Sequence, residues 1–335
     1  MSKEEQNAYV PPFTVTDEIT NLVAEIAEAI GRLTAGSDCL PAPQLRKENR
    51  IKTIHSSLAI ENNSLSLDQV TAIIGGKRVL GAPNEIREVK NAIDAYELLM
   101  ELNPYQEKDL LRAHSLMMSD LVRECGRYRQ GGVGVFSGDR CVHVAPPASR
   151  VPALMGELLS WVKNTKVHPL ISSSVFHYEF EFIHPFADGN GRMGRMWQTL
   201  LLMQWKPIFA WIPVESIVKQ HQQEYYDVIA QSDHLASSTP FITFMLTCFK
   251  LTVEEMMESN QKSNQKSNGK ILLLMQQNPF VSIRELQDLT GLSESGVKKV
   301  IRQLKANGKI LRSGGAKGGH WVVVDNYCLN VFMLE

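Results

Sequence analysis

The nine residues from His184 to Arg192 constrain the fold of this chain most, because they must end one helix and begin another within a short loop. Pro185 disfavours helical geometry at the residue before it, so the preceding helix is expected to end there. Gly189 and Gly191 flank Asn190 and allow a sharp turn, after which a helix is expected from about the last residue of the segment. The N–H groups of such a turn and the positive end of the following helix together make an anion site, suited to phosphates.

Four side chains of this region suit nucleotide-phosphate chemistry. Arg192 and Arg195 are three positions apart in the first helical turn, so both can flank the site and pair with phosphate oxygens. Asp188 would repel phosphate unless a cation lay between them, and Mg²⁺ held by one carboxylate and phosphate oxygens resolves the conflict. His184 can take a proton from an incoming hydroxyl group. An ordinary interhelical turn with surface His and Arg is the alternative, but so many suitable groups within twelve residues favour a transfer site.

Composition narrows the class of protein. The 335 residues are 44% hydrophobic and carry a formal net charge of −1, which allows two or three domains and argues against a whole-chain polyanion binder. Five dispersed cysteines without a CxxC pair argue against a disulfide framework or a zinc ribbon. Residues 1–6 are polar, unlike a secretory signal, and the most apolar span, 241–253, is too short and too polar to cross a bilayer. A cytoplasmic protein with no membrane partner is therefore expected.

Apolar residues recur at helical spacing through most of the first 258 residues. An N-terminal arm and helix are expected over residues 1–44, and a larger helical domain over residues 45–258. The expected helices cover residues 17–33, 45–61, a segment opened by a capping box at Ser66, 85–102, 108–122, 150–164, 172–183, 193–205, 215–230 and 240–258. Residues 126–147 differ, because alternating valines on both sides of a Ser-Gly-Asp-Arg turn predict a short β-hairpin, with Val133, Val135, Val142 and Val144 in its strands.

The end of the chain predicts a second domain. Residues 259–269 contain no apolar side chain, which favours a linker over a solvated helix end. Residues 270–335 then predict helices at 271–275, 282–289 and 293–306 and strands at 309–312 and 321–324, an order that resembles a winged helix-turn-helix domain. DNA contact and a protein-docking or dimerising role are both open for this module. Its basic residues suit DNA phosphates: Lys298, Lys299, Arg302, Lys305, Lys309, Arg312 and Lys317.

The segment His184 to Arg195 resembles the signature of the Fic family, His-x-Phe-x-Asp/Glu-Gly-Asn-Gly-Arg-x-x-Arg, at every fixed position. The resemblance covers about residues 45–250 and identifies residues 45–258 as a Fic-type catalytic domain. It implies a mainly α protein with an all-helical core, which uses ATP and Mg²⁺ to transfer AMP to a Ser, Thr or Tyr hydroxyl group of a target protein. Fic-like proteins that phosphorylate instead carry Lys at the position of Gly191, so glycine there favours AMP transfer.

The same resemblance assigns roles to the residues of the signature. His184 is implied as the general base, Phe186 as the anchor of the loop in the core, and Asp188 as the Mg²⁺ ligand. The anion hole and the phosphate contacts are implied for Gly189, Asn190, Gly191, Arg192 and Arg195, with Arg195 at the γ-phosphate. His177, seven residues before His184, is expected to be a core or capping residue rather than a metal ligand.

Two more segments resemble parts of Fic proteins. Residues 126–129 and 144–147 match segments that in the family flank a flap, a hairpin that pairs with the backbone of the target by strand addition. This implies target docking for the hairpin valines, and a plain structural hairpin is the alternative.

Residues 57–62 resemble the family's inhibitory motif, Ser/Thr-x-x-x-Glu-Gly/Asn, within a helix expected over about residues 45–63. Ser57 and Glu61 share one helix face, and Glu61 lies near a helix C-terminus, where its carboxylate opposes the helix dipole and calls for a cationic partner. The family implies that this partner is Arg195 and that Glu61 obstructs the γ-phosphate. An exposed glutamate at a frayed helix end is the alternative.

The sequence thus predicts a protein AMP transferase inhibited by its own Glu61, acting on a protein substrate that can be the chain itself, with a homodimer left open. A phosphotransferase or an AMP-removing enzyme on the same scaffold is one alternative. A DNA-binding regulator that only senses nucleotide is another, and the presence of His184 argues against it.

Overall fold

The structure, a computed structural model, describes residues 9–34, 43–132, 134–137, 140–315 and 318–324, and of residues 134–137, 140–144 and 260–265 it describes the backbone. Val133 and Lys317 of the sequence predictions lie outside the described residues, as do residues 1–8 and 325–335 of the predicted terminal domains. The chain divides into two compact units, Met1–Glu254 and Glu255–Glu335.

The first unit is mainly helical, as the apolar spacing predicted. Short 3₁₀ turns cover Leu98–Met100, Ala148–Arg150 and Pro207–Trp211. Strands β1 (Gly134–Ser137) and β2 (Arg140–Val144) form the predicted antiparallel hairpin. The helices are α1 (Asp17–Thr34), α2 (Pro43–Ile60), α3 (Leu67–Ile74), α4 (Pro83–Glu97), α5 (Glu107–Met117), α6 (Val151–Asn164), α7 (Pro169–Ile183), α8 (Asn190–Trp205), α9 (Val214–Gln220) and α10 (Gln222–Leu235).

Helices α7 and α8 pack against each other at the centre of this unit. Every residue from Leu170 to Phe180 and from Arg192 to Met203 is buried. A helix that is surrounded by protein on all sides lacks the polar face of a surface helix, which agrees with the weak amphipathic pattern of both segments. The His184 loop joins these two core helices, so its position is set by the most tightly packed part of the unit.

Several predicted boundaries are wrong for local reasons. Helix α8 begins at Asn190 rather than at about Arg192, because Gly189 adopts a left-handed conformation (φ 83°) and its carbonyl accepts the first helical hydrogen bond. The predicted helix over residues 215–230 is interrupted at His221, whose ψ of 33° is not helical. The predicted helix from residue 108 ends at Met117. The capping box at Ser66 is confirmed.

The predicted linker at residues 259–269 is also wrong in its conformation. These residues belong to α11 (Thr239–Gln277), so the backbone here is helical rather than an irregular linker. Apolar turns on either side, with Val253 before the segment and Ile271 after it, are buried. Extending a helix that is already formed is far easier than starting one, so a polar segment between two apolar ones can continue it.

The second unit contains the end of α11 and the predicted winged helix-turn-helix elements. They are α12 (Ile283–Thr290), α13 (Glu294–Ala306) and an antiparallel pair of strands, β3 (Ile310–Ser313) and β4 (His320–Val323). The predicted helix at residues 271–275 is the last part of α11. Trp321 closes a small core by donating its indole N–H to the carbonyl of Val281 (3.1 Å). That core consists of Ile271, Met275, Val281, Leu286, Val297, Val300, Ile301, Leu304, Ile310 and Trp321.

Within the described part of the chain, we find no helix with the length and apolar character that crossing a membrane requires.

Candidate functional site

The loop between α7 and α8 is held closed by its own asparagine. Helix α7 ends at His184, as the following Pro185 predicted. His184 itself adopts a left-handed conformation (φ 50°, ψ 61°). The buried Asn190 side chain accepts a hydrogen bond from the N–H of Phe186 and donates one to its carbonyl, both at 2.9 Å. These two bonds tie the side chain of Asn190 to the loop, and its backbone N–H group lies at the start of α8.

Phe186 is fully buried, as the resemblance implied, and stacks on His114 of α5 with ring centroids 3.6 Å apart and an interplanar angle of 4°. His114 accepts a hydrogen bond at Nδ1 from the N–H of Gly126 (2.9 Å), so its Nε2 carries the proton that is donated to the carbonyl of Asp188 (3.0 Å). Burial lowers the pKa of His114 to about 4, so the ring is neutral at pH 7. His114 therefore fixes the position of the loop. Sequence reasoning missed it because no local pattern marks it.

Arg129 fastens the loop from the other side. The segment around it was noted for its resemblance to Fic proteins, but this role was not inferred. Arg129 is 3% exposed, and burial lowers the pKa of its guanidinium group. Its backbone N–H donates to the carbonyl of Pro185 (2.9 Å). Its guanidinium group donates to four carbonyl groups, those of His184 (2.7 Å), Pro146 (2.6 Å), Gly131 (2.9 Å) and Ile183 (3.3 Å).

The anion site was predicted at the first turn of α8. Gly189 and Gly191 leave room that a side chain would fill: a Cβ atom at Gly189 would lie 2.6 Å from the sulfur of Met118, and one at Gly191 would clash with the carboxylate of Glu61. The backbone N–H groups at the start of the helix have no intrahelical acceptor, and the helix dipole adds positive potential there. The N-terminal end of α8 is therefore suited to an anion, and in this structure the carboxylate of Glu61 lies there.

Arg195 is the partner of Glu61, as predicted. Its Nη2 lies 2.7 Å from Oε1 of Glu61 and also donates to the carbonyl of Ser57 (3.0 Å), and its Nε donates to the hydroxyl oxygen of Ser57 (3.2 Å). Arg195 is 2% exposed, whereas the Glu61 side chain is 33% exposed. Burial lowers the pKa of Arg195, but Glu61, Tyr225 and Glu181 together outweigh burial and raise the pKa above its ordinary value, with the Glu61 carboxylate contributing most. The guanidinium group is therefore charged at any working pH.

Arg192 lies beside the same helix end and is 4% exposed. Its Nη1 is 3.4 Å from Glu88 and its Nη2 is 3.3 Å from Asp188. The buried Nε of Arg192 and Nη1 of Arg195 have no hydrogen-bond acceptor among the described residues. Buried N–H groups are rarely left unpaired, so these two donors are consistent with an anion that both arginines bind.

Asp188 is the candidate metal ligand. Its side chain is 58% exposed, and its Oδ1 accepts a hydrogen bond from the N–H of Gly189 (2.6 Å). A search of the described residues finds no group of three or more His, Cys, Asp or Glu side chains that could hold a metal ion. One exposed carboxylate fits Mg²⁺, which takes its remaining ligands from phosphate and water.

His184 is half-buried at the mouth of the loop, and its Nδ1 lies 3.3 Å from the carbonyl of Glu181. A carbonyl only accepts, so Nδ1 carries the proton in this contact. His177 is fully buried between Gln198 and the hydroxyl group of Tyr225, and burial lowers its pKa to about 3. The prediction that His177 is a core residue is confirmed.

A buried carboxyl group below Arg195 was not found from the sequence. Glu215, at the start of α9, is 0% exposed, and Tyr96 donates a hydrogen bond to it (3.4 Å). Burial raises the pKa of Glu215 to about 7, against the opposing effect of Arg195 and Arg50. A glutamate two residues after Pro213 carries no local sign of such an environment.

The hairpin pairs Gly134 with Val144 and Val135 with His143, and its register shifts after Val135. The backbone of Val135, Val142 and Val144 lies in the strands as predicted. Target docking by these residues stays a prediction.

Comparison with known proteins supports the resemblance to the Fic family. The model of the Fic/DOC family matches residues 104–202, and a model described as winged helix-turn-helix DNA-binding matches residues 265–310. The chain is 28% identical over 254 residues to Protein adenylyltransferase Fic of Nematostella vectensis, a match that covers 72% of this chain and 56% of that protein. The protein of the same name from Aedes aegypti is 30% identical over 219 residues, which cover 62% of this chain and 42% of that protein. The chain thus spans about half the length of the curated relatives it matches.

A solved structure resembles nearly the whole chain. The crystal structure of a Fic family protein from Desulfovibrio desulfuricans G20 has a TM-score of 0.73 and 47% sequence identity, and the match covers 94% of this chain and 98% of that one. Similarity of that extent includes the second unit as well as the helical domain. With the complete signature on a loop between two core helices, it shows that this chain belongs to the Fic family.

Proposed function

We propose that this chain transfers AMP from ATP to a hydroxyl group of a protein, and that Glu61 inhibits the transfer. The observation that carries the proposal is the N-terminal end of α8, where no Cβ atom stands at Gly191 and two buried arginines present unpaired donors. Curated relatives named Protein adenylyltransferase Fic support this choice of reaction. A lysine at the position of Gly191, as in phosphorylating relatives, would face the Glu61 carboxylate in this structure.

In the proposed reaction the acceptor hydroxyl oxygen bonds to the α-phosphorus of ATP, and the bond between that phosphorus and the bridging oxygen to the β-phosphate breaks. Pyrophosphate leaves, and the hydroxyl proton passes to Nε2 of His184. The N–H groups of the first turn of α8, with Arg192 and Arg195, hold the phosphate oxygens by fixed dipoles and charges. His114 and Arg129 hold the loop backbone, so these groups are in place before the substrate arrives.

Mg²⁺ fits this site as a companion of the nucleotide. Asp188 would hold it, and it would neutralise phosphate charge next to a carboxylate that otherwise repels ATP. The ion pair between Asp188 and Arg192 keeps the carboxylate at the entrance of the loop.

The proposed inhibition follows from the position of the Glu61 carboxylate. It lies beside Gly191 at the start of α8 and pairs with Nη2 of Arg195. A phosphate group bound at the same place would therefore require the pair to separate. Two anions at one helix end would also repel each other.

The proposed partner is a protein with a Ser, Thr or Tyr acceptor, this chain included, and the hairpin is the surface proposed to receive its backbone. A cytoplasmic location and a homodimer stay predictions from the sequence.

The test is incubation of the intact chain with ATP and Mg²⁺, followed by intact-mass measurement. Glu61→Gly is expected to gain an AMP unit, and His184→Ala in the same background is expected to gain none. Gain of a phosphate group would instead assign a phosphotransferase. Full incorporation by the His184→Ala chain would refute the assignment of the base.

A second proposed activity is DNA contact by the winged helix-turn-helix module. The lysines and arginines of α13 and β3 are all exposed, and Lys305 and Arg312 lie over the ring of Trp321 at 5.4 and 4.5 Å. The lysines and arginines thus surround the small core that contains Trp321 and form a basic surface suited to phosphates. A gel shift of the intact chain with duplex DNA should weaken as salt is raised, and no shift at low salt would exclude DNA contact.

A further inference from the structure

The C-terminal end of α2, which carries Glu61, is bound by side chains from the junction of α9 and α10. Lys219 donates from Nζ to the carbonyl of Ala59 (2.8 Å), and Gln222 donates from Nε2 to the carbonyl of Ile60 (2.7 Å). The hydroxyl group of Tyr226 adds a longer bond to the same carbonyl of Ile60 (3.2 Å). These are among the last carbonyls of α2, where the regular helical hydrogen bonds end. The carbonyl of Ala59 also accepts the N–H of Asn62 (3.1 Å), and the side-chain donors add to that bond.

The two donors also hold each other. Nζ of Lys219 lies 2.7 Å from Oε1 of Gln222, which must accept, so Nε2 of Gln222 is left to donate to α2. Glu61 places a negative charge at the negative end of a helix dipole, an unfavourable arrangement in isolation. The ammonium group of Lys219 lies at the same helix end, where its positive charge offsets the charge of Glu61 and the negative end of the helix dipole.

Contacts between α2 and this part of the chain continue along the helix. Asn49 donates to the carbonyl of Trp211 (2.9 Å), and the hydroxyl groups of Ser56 and Ser216 are 3.3 Å apart. Residues 211–226 therefore support α2 over its length. Directly after Glu61 the chain turns away, because Asn62 adopts a left-handed conformation (φ 67°).

We propose that Lys219 and Gln222 are positioning residues that keep Glu61 on Arg195 and so set the strength of inhibition. Neither residue belongs to the His184 loop or to the anion site. Their effect on transfer would act through the end of α2 alone. His221, which lies between them, is exposed and not helical, so the junction between α9 and α10 lies at the protein surface. The inference rests on the proposed function, since it assigns regulation to the same site.

The test compares Lys219→Met, which keeps an apolar stem but loses the donor, with Lys219→Arg, which restores a charged donor. Gln222→Ala is paired with Gln223→Ala, because Gln223 bonds only to the neighbouring Asp227 by its side chain among the described contacts. Incorporation of AMP from labelled ATP is expected to rise about tenfold in Lys219→Met and Gln222→Ala, equivalent to about 1.4 kcal/mol. Lys219→Arg and Gln223→Ala are expected to stay near the wild-type rate.

The same substitutions in the Glu61→Gly background separate positioning from a general structural role. If Lys219 acts through Glu61, Lys219→Met adds no further rise there, whereas damage to the fold would lower incorporation in both backgrounds. No rise in the presence of Glu61, while Glu61→Gly alone is active, would overturn the proposal and leave the transfer reaction standing.

Hydrogen exchange gives a readout that does not depend on catalysis. The peptide covering residues 54–63 is expected to exchange faster in Lys219→Met and Gln222→Ala than in their controls. Unchanged exchange in this peptide would overturn the proposal, whether or not the chain transfers AMP. If the chain transfers no AMP, Glu61→Gly will also be inactive, and the proposed function then fails independently of the exchange result.

Discussion

Replacing Glu61 by glycine should lower the stability of the chain and raise its activity at the same time. Removing one partner of a buried ion pair costs about 3–5 kcal/mol when the other charge is left alone. Here the Glu61 side chain is 33% exposed, and Arg195 keeps two hydrogen bonds to Ser57. Solvent screening and these remaining bonds reduce the expected loss in the free energy of unfolding to about 1–2 kcal/mol.

The expected gain in activity follows from the same free energy, that of separating Glu61 from Arg195. If the pair must separate before a phosphate group binds, an opening free energy of about 1–2 kcal/mol corresponds to roughly 5- to 30-fold inhibition. Glycine at position 61 lies after the last residue of α2, Ile60, so the substitution does not interrupt the helix.

The assay pairs urea unfolding with AMP incorporation from labelled ATP. Glu101→Gly is a suitable control, since Glu101 forms an exposed pair with Arg112 (3.5 Å) and should change neither measurement by more than a small amount. A folded Glu61→Gly chain whose incorporation is equal to or below that of the wild type would refute the inhibitory role. Higher activity without loss of stability would refute the energetic argument for the ion pair.

Gly191→Ala places a Cβ atom against the Glu61 carboxylate, so it should separate Glu61 from Arg195 and lower the free energy of unfolding in urea by about 1–2 kcal/mol. An equal loss in the Glu61→Gly background would show that another clash is responsible. Arg129→Met leaves four carbonyl groups without their donor and should lower the free energy of unfolding by about 3 kcal/mol. A loss no larger than that caused by the same substitution at an exposed arginine would contradict this. Glu215 has a folded pKa of about 7, raised by burial from 4.5, so the folded state holds an extra proton between these values and stability falls as the pH rises through that window. The change in melting temperature between pH 5 and pH 8 should be smaller for Glu215→Gln than for the wild type. An equal change in the two chains would refute the raised pKa of Glu215.

Features that depend on neighbouring residues could be predicted from the sequence. Pro185 ended α7 at the expected residue, and the serine at position 66 forms the expected capping box. The signature itself located the candidate site, because its residues lie on one continuous stretch of chain, the His184 loop and the first turns of α8. The interruption at His221 could not be predicted, since the flanking residues continue the helical spacing on both sides.

Features that depend on distant residues needed the structure. His114 bonds to a carbonyl 74 positions away, Arg129 to one 55 positions away, and Lys219 to one 160 positions away. Each of these polar side chains binds a backbone carbonyl, a partner that every residue possesses and that no sequence pattern marks. Packing of the helices decides which carbonyl is in reach.

The pair formed by Glu61 and Arg195 combines both cases. Motifs 134 positions apart predicted that the two residues would meet. The sequence by itself therefore predicted the chemistry proposed for the site: a base, an anion-binding turn, and a carboxylate able to compete for it. Only the tertiary structure decided that this carboxylate lies over Gly191 and that α9 and α10 hold the helix that carries it. The physical reason is that the anion-binding turn is local, whereas the position of α2 depends on packing between helices distant in the chain.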